Sequence, residues 1–233
     1  MKKTLVIIPA RKNSKRLKSK NFLKFGEHSL IEHTIQKASK LDKSIYFVVV
    51  NSDDDRAFNI SKKYENILFI KRPDSISKDD STASSYVSHT LKFLSDLKFE
   101  NILILQPTSP FTKICHIHNC ISQFNNSKFK SFASVVEIDH DLHPEKFKII
   151  DNSGKIKSFF PIEDNFQRSK MERVYVRNGS IYLTTTKSFL ETNNIISEPC
   201  GAFIMEKRFS IDINTQTDFD LAELMMKKNN EEK

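Results

Sequence analysis

Glycine is scarce: the 233-residue chain has four, and none before Gly26. That absence excludes the two commonest phosphate-binding fingerprints at the front of the chain. Both the GxxxxGK[ST] loop and the GxGxxG turn need glycines where backbone must approach a phosphate closely. Cysteine is nearly as sparse, and Cys115, Cys120 and Cys200 form an odd set without metal-ligand spacing. A disulfide framework is therefore not expected, and a reducing cytoplasm is the expected compartment. His116, His118, His140 and His143 are not arranged as a zinc site either. No apolar run approaches the ~20 residues that cross a bilayer, so no membrane partner is expected. The opening lysines precede a short apolar run, TLVIIPA, that passes into Arg11 and Lys12 rather than a small-residue cleavage site. It reads as a buried strand and not as a signal peptide.

Positive charge is plentiful. Lysine and arginine total 37 against 29 acidic residues, a formal net charge of +8. Nucleic acid, an acidic surface and small polyanions such as nucleotides would all suit that balance. Most lysines are scattered, as on a solvated surface, but Arg11, Lys12, Lys15, Arg16, Lys18 and Lys20 are bunched directly after the first apolar run. No nucleic-acid motif accompanies them. A cluster at a strand end points to a phosphate-bearing small molecule rather than to nucleic acid.

Apolar runs alternate with amphipathic segments. Strands are expected at Thr4–Ile8, Ile45–Val50, Ile67–Ile70, 102–105, 132–136, 180–184 and 202–205. Helices are expected at Leu30–Leu41, Arg56–Tyr64, Thr82–Leu97, Cys115–Phe124 and from Asp218 to about Lys228. The order predicts an α/β fold with a Rossmann-like, mostly parallel sheet flanked by helices, forming one domain over 1–233. From about 139 to 176 the rhythm breaks, and AspAsnSerGly at 151–154 signals a hairpin. This stretch is expected to be an inserted lobe.

Ligands of such sheets lie outside the carboxyl ends of the strands, so the residues after each apolar run carry the information. The loop from Pro9 to Asn21 presents cations and hydroxyls able to surround a triphosphate. Arg72-Pro73 follows the third run, and Asp79-Asp80-Ser81-Thr82 precedes a helix that an Asp or Ser could cap. In Leu105-Gln106-Pro107-Thr108-Ser109-Pro110 two prolines fix the turn and aim Gln106 into the crevice, where it can read sugar hydroxyls. Gly179 allows a tight turn ahead of Tyr182, whose plainest role is core packing. Asp212 and Asn214 alternate onto one strand face, spaced to share a hard cation, and Asp218 is placed to cap the last helix.

These segments together resemble the CMP-sialic acid synthetases, the acylneuraminate cytidylyltransferases. The opening IPARxxSKxxxxKN of that family falls on Ile8 to Asn21, with Lys12 and Asn13 where many relatives have a glycine and no proline before Lys20. The ArgPro, the LeuGlnProThrSerPro string and an Arg followed by TyrxxAsnGlyxxTyr recur in the same order. The resemblance implies CTP as co-substrate and nucleotidyl transfer to an acidic sugar. By it Arg11, Ser14, Lys15 and Lys20 hold phosphates, while Asn21, Arg72 and Ser81 meet the base and ribose. Gln106, Asn178 and Tyr182 shape the sugar pocket, and Arg168 pairs with the sugar carboxylate. Mg2+ or Mn2+ sits on Asp212 and Asn214, although relatives most often carry an acid in place of Asn214. Homodimers form through the inserted lobe. Three alternatives stay open: a pseudaminic, legionaminic or octulosonic substrate, suggested by Ile195-Ile196 where many sialic-acid enzymes have aromatics; a non-catalytic sugar-nucleotide binder; and a basic nucleic-acid-binding module.

Overall fold

The computed structural model describes residues 3–160 and 172–231. The apolar run behind the opening lysines is β1 (Thr4–Ala10), buried at all seven positions. Leu5 and Ile7 pack into one layer, Val6 and Ile8 into the other. Successive strand side chains point to opposite faces, and a sheet covered on both sides must be apolar at every position.

A small hairpin of β2 (Lys24–Phe25) and β3 (His28–Ser29) leads into α1 (Leu30–Ser39). Ser29 starts that helix, its side chain accepting from the Glu32 amide. Next come β4 (Tyr46–Ser52), α2 (Asp55–Ser61), β5 (Ile67–Lys71) and α3 (Ala83–Phe93). They are followed by β6 (Asn101–Leu105), α4 (Ile114–Asn125) and β7 (Ser131–Glu137). α3 stops four residues short of the expected Leu97, because Leu94 leaves the helix and buries its side chain. A hairpin of β8 (Lys148–Ile150) and β9 (Ile156–Ser158) turns through Gly154 at φ 83°, inside the AspAsnSerGly segment. β10 (Tyr175–Thr185), α5 (Thr186–Thr192), β11 (Cys200–Ile204) and α6 (Gln216–Glu231) complete the described chain.

The main sheet has seven strands in the order β11-β7-β10-β6-β1-β4-β5. All neighbours are parallel except β10, which runs antiparallel to both β6 and β7. Sequence pattern led us to expect that the strand at 180–184 simply resumed the βα rhythm. Its reversed direction follows from its connection: an antiparallel neighbour needs no crossover helix, and β10 is reached from β7 through the β8–β9 hairpin.

α1, α2 and α4 cover one face with Ile31, Ile35, Ala57, Ile117 and Phe124, and α3 and α5 cover the other with Tyr86, Val87 and Phe189. A third cluster joins Phe219 and Ala222 of α6 to Phe25, Leu30 and Ile213. It pins the stretch around Asp212 beside the β2–β3 hairpin. Among the described residues no helix is long and apolar enough to cross a membrane.

Candidate active site

The strand order reverses at β1, with β4 and β5 on one side and β6 on the other. A crevice opens outside the carboxyl ends of the strands at such a switch point. Here it is a cleft of about 580 Å3, and Arg11, Ser14, Lys15, Lys20, Asn21, Arg72, Ser81, Gln106, Tyr182, Asp212 and Asn214 all line it. Residues far apart in sequence thus meet because each follows a strand or sits at a strand end. Two candidates are not in the lining. Arg168 lies outside the described residues. Asn178 is buried behind the wall, where its amide donates to Ser210 Oγ at 2.8 Å and its oxygen accepts from Ser134 Oγ at 2.6 Å. The β10 register shifts between Arg177 and Tyr182, and Gly179 at φ 74° occupies the cleft wall instead. Ile195 also misses the cleft, packing on the core cluster beside Tyr182.

Cations of the loop after β1 are already engaged. Arg11 Nη1 and Lys15 Nζ each lie 2.9 Å from one oxygen of Asp79, and Arg11 also donates to the Lys78 carbonyl. Hydrogen bonding from Lys15 and the charge of both cations hold the Asp79 carboxyl below the usual carboxylate range. Lys15 is 81% exposed and Asp79 is in open solvent contact, so these pairs are weak and exchangeable. The sequence offered Asp79 or Ser81 as a helix cap. The cap position is Thr82, and Asp79 reaches across the cleft mouth instead.

Arg72 is held differently. It is 5% exposed, donating through Nε to Asn51 Oδ1 at 2.7 Å and through Nη2 to the Asn51 carbonyl at 2.6 Å. Its guanidinium lies 4.9 Å from the centre of the Tyr86 ring, a cation–π contact strengthened by burial. Asn51 is itself fixed by donating to Thr90 Oγ1 at 2.9 Å. Burial pushes the Arg72 group down to about 10, which leaves it cationic at neutral pH. Tyr86 lines the cleft, while its hydroxyl is buried with no partner among the described residues, and burial raises its pKa. Sequence inspection missed Asn51 and Tyr86. The AsnSerAspAsp at 51–54, where β4 gives way to polar residues, was the available signal for Asn51, whereas Tyr86 looks like any aromatic on a helix face.

Opposite these groups, Asp212 Oδ1 is buried without a hydrogen bond among the described residues, while Oδ2 accepts from Asn214 Nδ2 at 2.7 Å. Asn214 Oδ1 in turn accepts from Lys20 Nζ at 3.0 Å. Burial lowers the Lys20 pKa, opposed chiefly by the charge of Asp212. An orphaned carboxylate oxygen fits a hard cation. The Asn214 oxygen is instead taken by Lys20, so Asn214 bridges base and acid rather than presenting a second free ligand. Gly179 leaves room for this carboxylate, since a Cβ there would lie 3.2 Å from Asp212 Cγ. Asp218 caps α6 as expected: it accepts from the Thr215 amide at 2.8 Å, and its own amide donates back to Thr215 Oγ1.

Solved structures with this fold include a CMP:2-keto-3-deoxy-manno-octonic acid synthetase complexed with CTP. It has a TM-score of 0.69 at 14% identity, covering 97% of this chain and 99% of that one. A 4-diphosphocytidyl-2C-methyl-D-erythritol synthase from Anaerococcus prevotii gives 0.64 at 17% identity, over 97% and 99%. The fold is thus the Rossmann-like class found in nucleotidyltransferases. The sequence model of the cytidylyltransferase family matches residues 5–229, and the chain belongs to that family. A CMP-N,N'-diacetyllegionaminic acid synthase of Legionella pneumophila is 33% identical over 97% of both chains. An N-acylneuraminate cytidylyltransferase of Escherichia coli is 28% identical over 99% of this chain, which spans only 54% of that relative. A pseudaminic acid cytidylyltransferase of Campylobacter jejuni is 24% identical over 98% of both.

If Asp79 occupies Arg11 and Lys15 in competition with an anion, Asp79→Asn binds inorganic pyrophosphate more tightly, by roughly two- to fivefold. Calorimetric titration at low salt checks this, and equal or weaker binding contradicts it.

Proposed function

We propose that the protein transfers CMP from CTP to the anomeric hydroxyl of an acidic nine-carbon sugar of the nonulosonic type, releasing pyrophosphate. The observation that carries this reading is one cleft with two electrostatic poles. Arg11 and Lys15 form one, and the unpaired Asp212 oxygen, with Lys20 linked to its carboxylate through Asn214, the other. The chemistry is in-line displacement at the α-phosphorus: a bond to the sugar oxygen forms, the bond to the α–β bridging oxygen breaks, and the hydroxyl proton leaves to solvent or product phosphate. Positioning and charge neutralisation supply most of the acceleration in such transfers.

In this reading Arg11, Ser14, Lys15 and Lys20 hold the triphosphate, and the first two cations exchange Asp79 for phosphate oxygens. Asn21, Arg72 and Ser81 receive the base and ribose on a wall whose donors are fixed in advance. Gln106 and Tyr182 face the sugar, with Arg168 as the partner of its carboxylate. Asp212 would hold Mg2+ or Mn2+, which when bound supplies charge neutralisation and lowers the pKa of an attached hydroxyl. Lys20, bridged to Asp212 through Asn214, keeps its ammonium next to the developing charge. A full-length relation to the legionaminic acid synthase at 33% identity favours testing that sugar class beside N-acetylneuraminate.

The deciding experiment is pyrophosphate release with each of the four nucleoside triphosphates, with Mg2+ and a panel of nonulosonic and octulosonic acids. Release with CTP and one sugar class is expected. Folded protein that binds CTP and turns over no sugar would instead indicate a sugar-nucleotide binder. Asp212→Ala is expected to lose at least ~100-fold in kcat, and full metal-dependent turnover by that variant contradicts its role.

We also propose that two copies pair through the 139–176 lobe. Its hairpin exposes Ile149, Ile150, Ile156, Phe159 and Phe160, with Ile150 at 72%, an apolar surface of the kind that marks an interface. Light scattering after gel filtration should give a dimer for the native chain and a monomer for Ile150→Asp/Ile156→Asp. A monomeric native chain rules the pairing out.

A further inference from the structure

Behind the cleft, α1 sends Lys37 beneath the turn that carries Gln106. Its Nζ donates to the Pro110 carbonyl at 2.7 Å, its one hydrogen bond among the described residues. The residue as a whole is only partly covered, but its ammonium is surrounded by protein, and burial pushes it down to about 7. The turn above it joins two parts of the site. The Ser109 amide donates to the Gln106 carbonyl at 3.2 Å, and the Thr108 carbonyl accepts from the amide of Ile213, which stands between Asp212 and Asn214.

Lys37, Thr34, Gln106, Ser109, Thr112 and Ser180 line a cavity of about 10 Å3 at this point. Ser109 and Ser180 are 0% and 1% exposed, and neither hydroxyl has a partner among the described residues. The other two hydroxyls are engaged, Thr112 to the Ser109 carbonyl and Thr34 to the Leu30 carbonyl. Two orphaned hydroxyls and the spare protons of an ammonium therefore face one small space. A single water needs a cavity of about that size and two to four polar partners.

We propose that Lys37 is a positioning residue: it clamps the 106–110 turn through Pro110 and holds one water against the hydroxyls of Ser109 and Ser180. The clamp fixes Gln106 from behind and, through Thr108 and Ile213, the Asp212 stretch as well. The consequence for catalysis rests on the reading of Gln106 as a contact to the acidic sugar.

The test compares the native chain with Lys37→Met by hydrogen exchange over residues 105–113 and by the kinetics of pyrophosphate release. Expected are faster exchange in that segment and a KM for the sugar raised roughly tenfold, with the KM for CTP held within about twofold. Lys37→Arg, which retains a donor, should recover part of both losses. Unchanged exchange in Lys37→Met overturns the clamp, and so does a KM for the sugar that stays within about twofold of the native value. If the native chain turns over no sugar, the functional reading fails while the exchange comparison still decides the clamp. Ser109→Ala/Ser180→Ala tests the water and leaves Lys37 in place should Lys37→Met not fold. With a water held there its melting temperature falls, whereas equal or higher stability shows the hydroxyls bind nothing.

Discussion

Like charges converging on one crevice are the constraint around which this molecule is arranged. Arg11, Lys15, Lys20 and Arg72 all line the same cleft, and their mutual repulsion grows as solvent is excluded. The chain meets it in three ways. At the mouth, Asp79 spans two cations through exposed contacts that an incoming anion can replace. In the interior, Arg72 rests on neutral acceptors and an aromatic face. On the far wall, Lys20 is linked to a carboxylate through an amide. The arrangement is adjustable where phosphates are expected and rigid where a base is expected.

Asn214 shows why the identity of a single link matters. A carboxylate at that position would pair with Lys20 directly. It would also place two acids side by side, where one raises the pKa of the other. The amide can donate to one neighbour and accept from another, so it joins Lys20 to Asp212 and leaves Asp212 Oδ1 unencumbered. The price is one fewer negative charge for a cation to bind.

Much of the fold was legible because β1, β4 and β6 are apolar runs cut off abruptly by polar loops, and the site was legible because those loops are its walls. The sense of β10 was not, since apolar content is the same whichever way a buried strand runs. Asn178, which the resemblance assigned to the sugar pocket, is buried behind the cleft wall beside a register shift in β10 and a glycine whose positive φ cannot be read in advance. The Asp79 contacts and the Asn51–Arg72 pair join residues far apart in sequence, between which no local pattern speaks. Lys37 looked like any helix lysine; only the turn folded over it distinguishes it.

The reversed direction of β10 has one more consequence. β7 ends, and β10 begins, at the same edge of the sheet where the parallel strands finish. The excursion between them is therefore a graft with both its stumps on the rim of the crevice. Such a graft can be lengthened, shortened or exchanged during evolution without shifting any strand in the sheet.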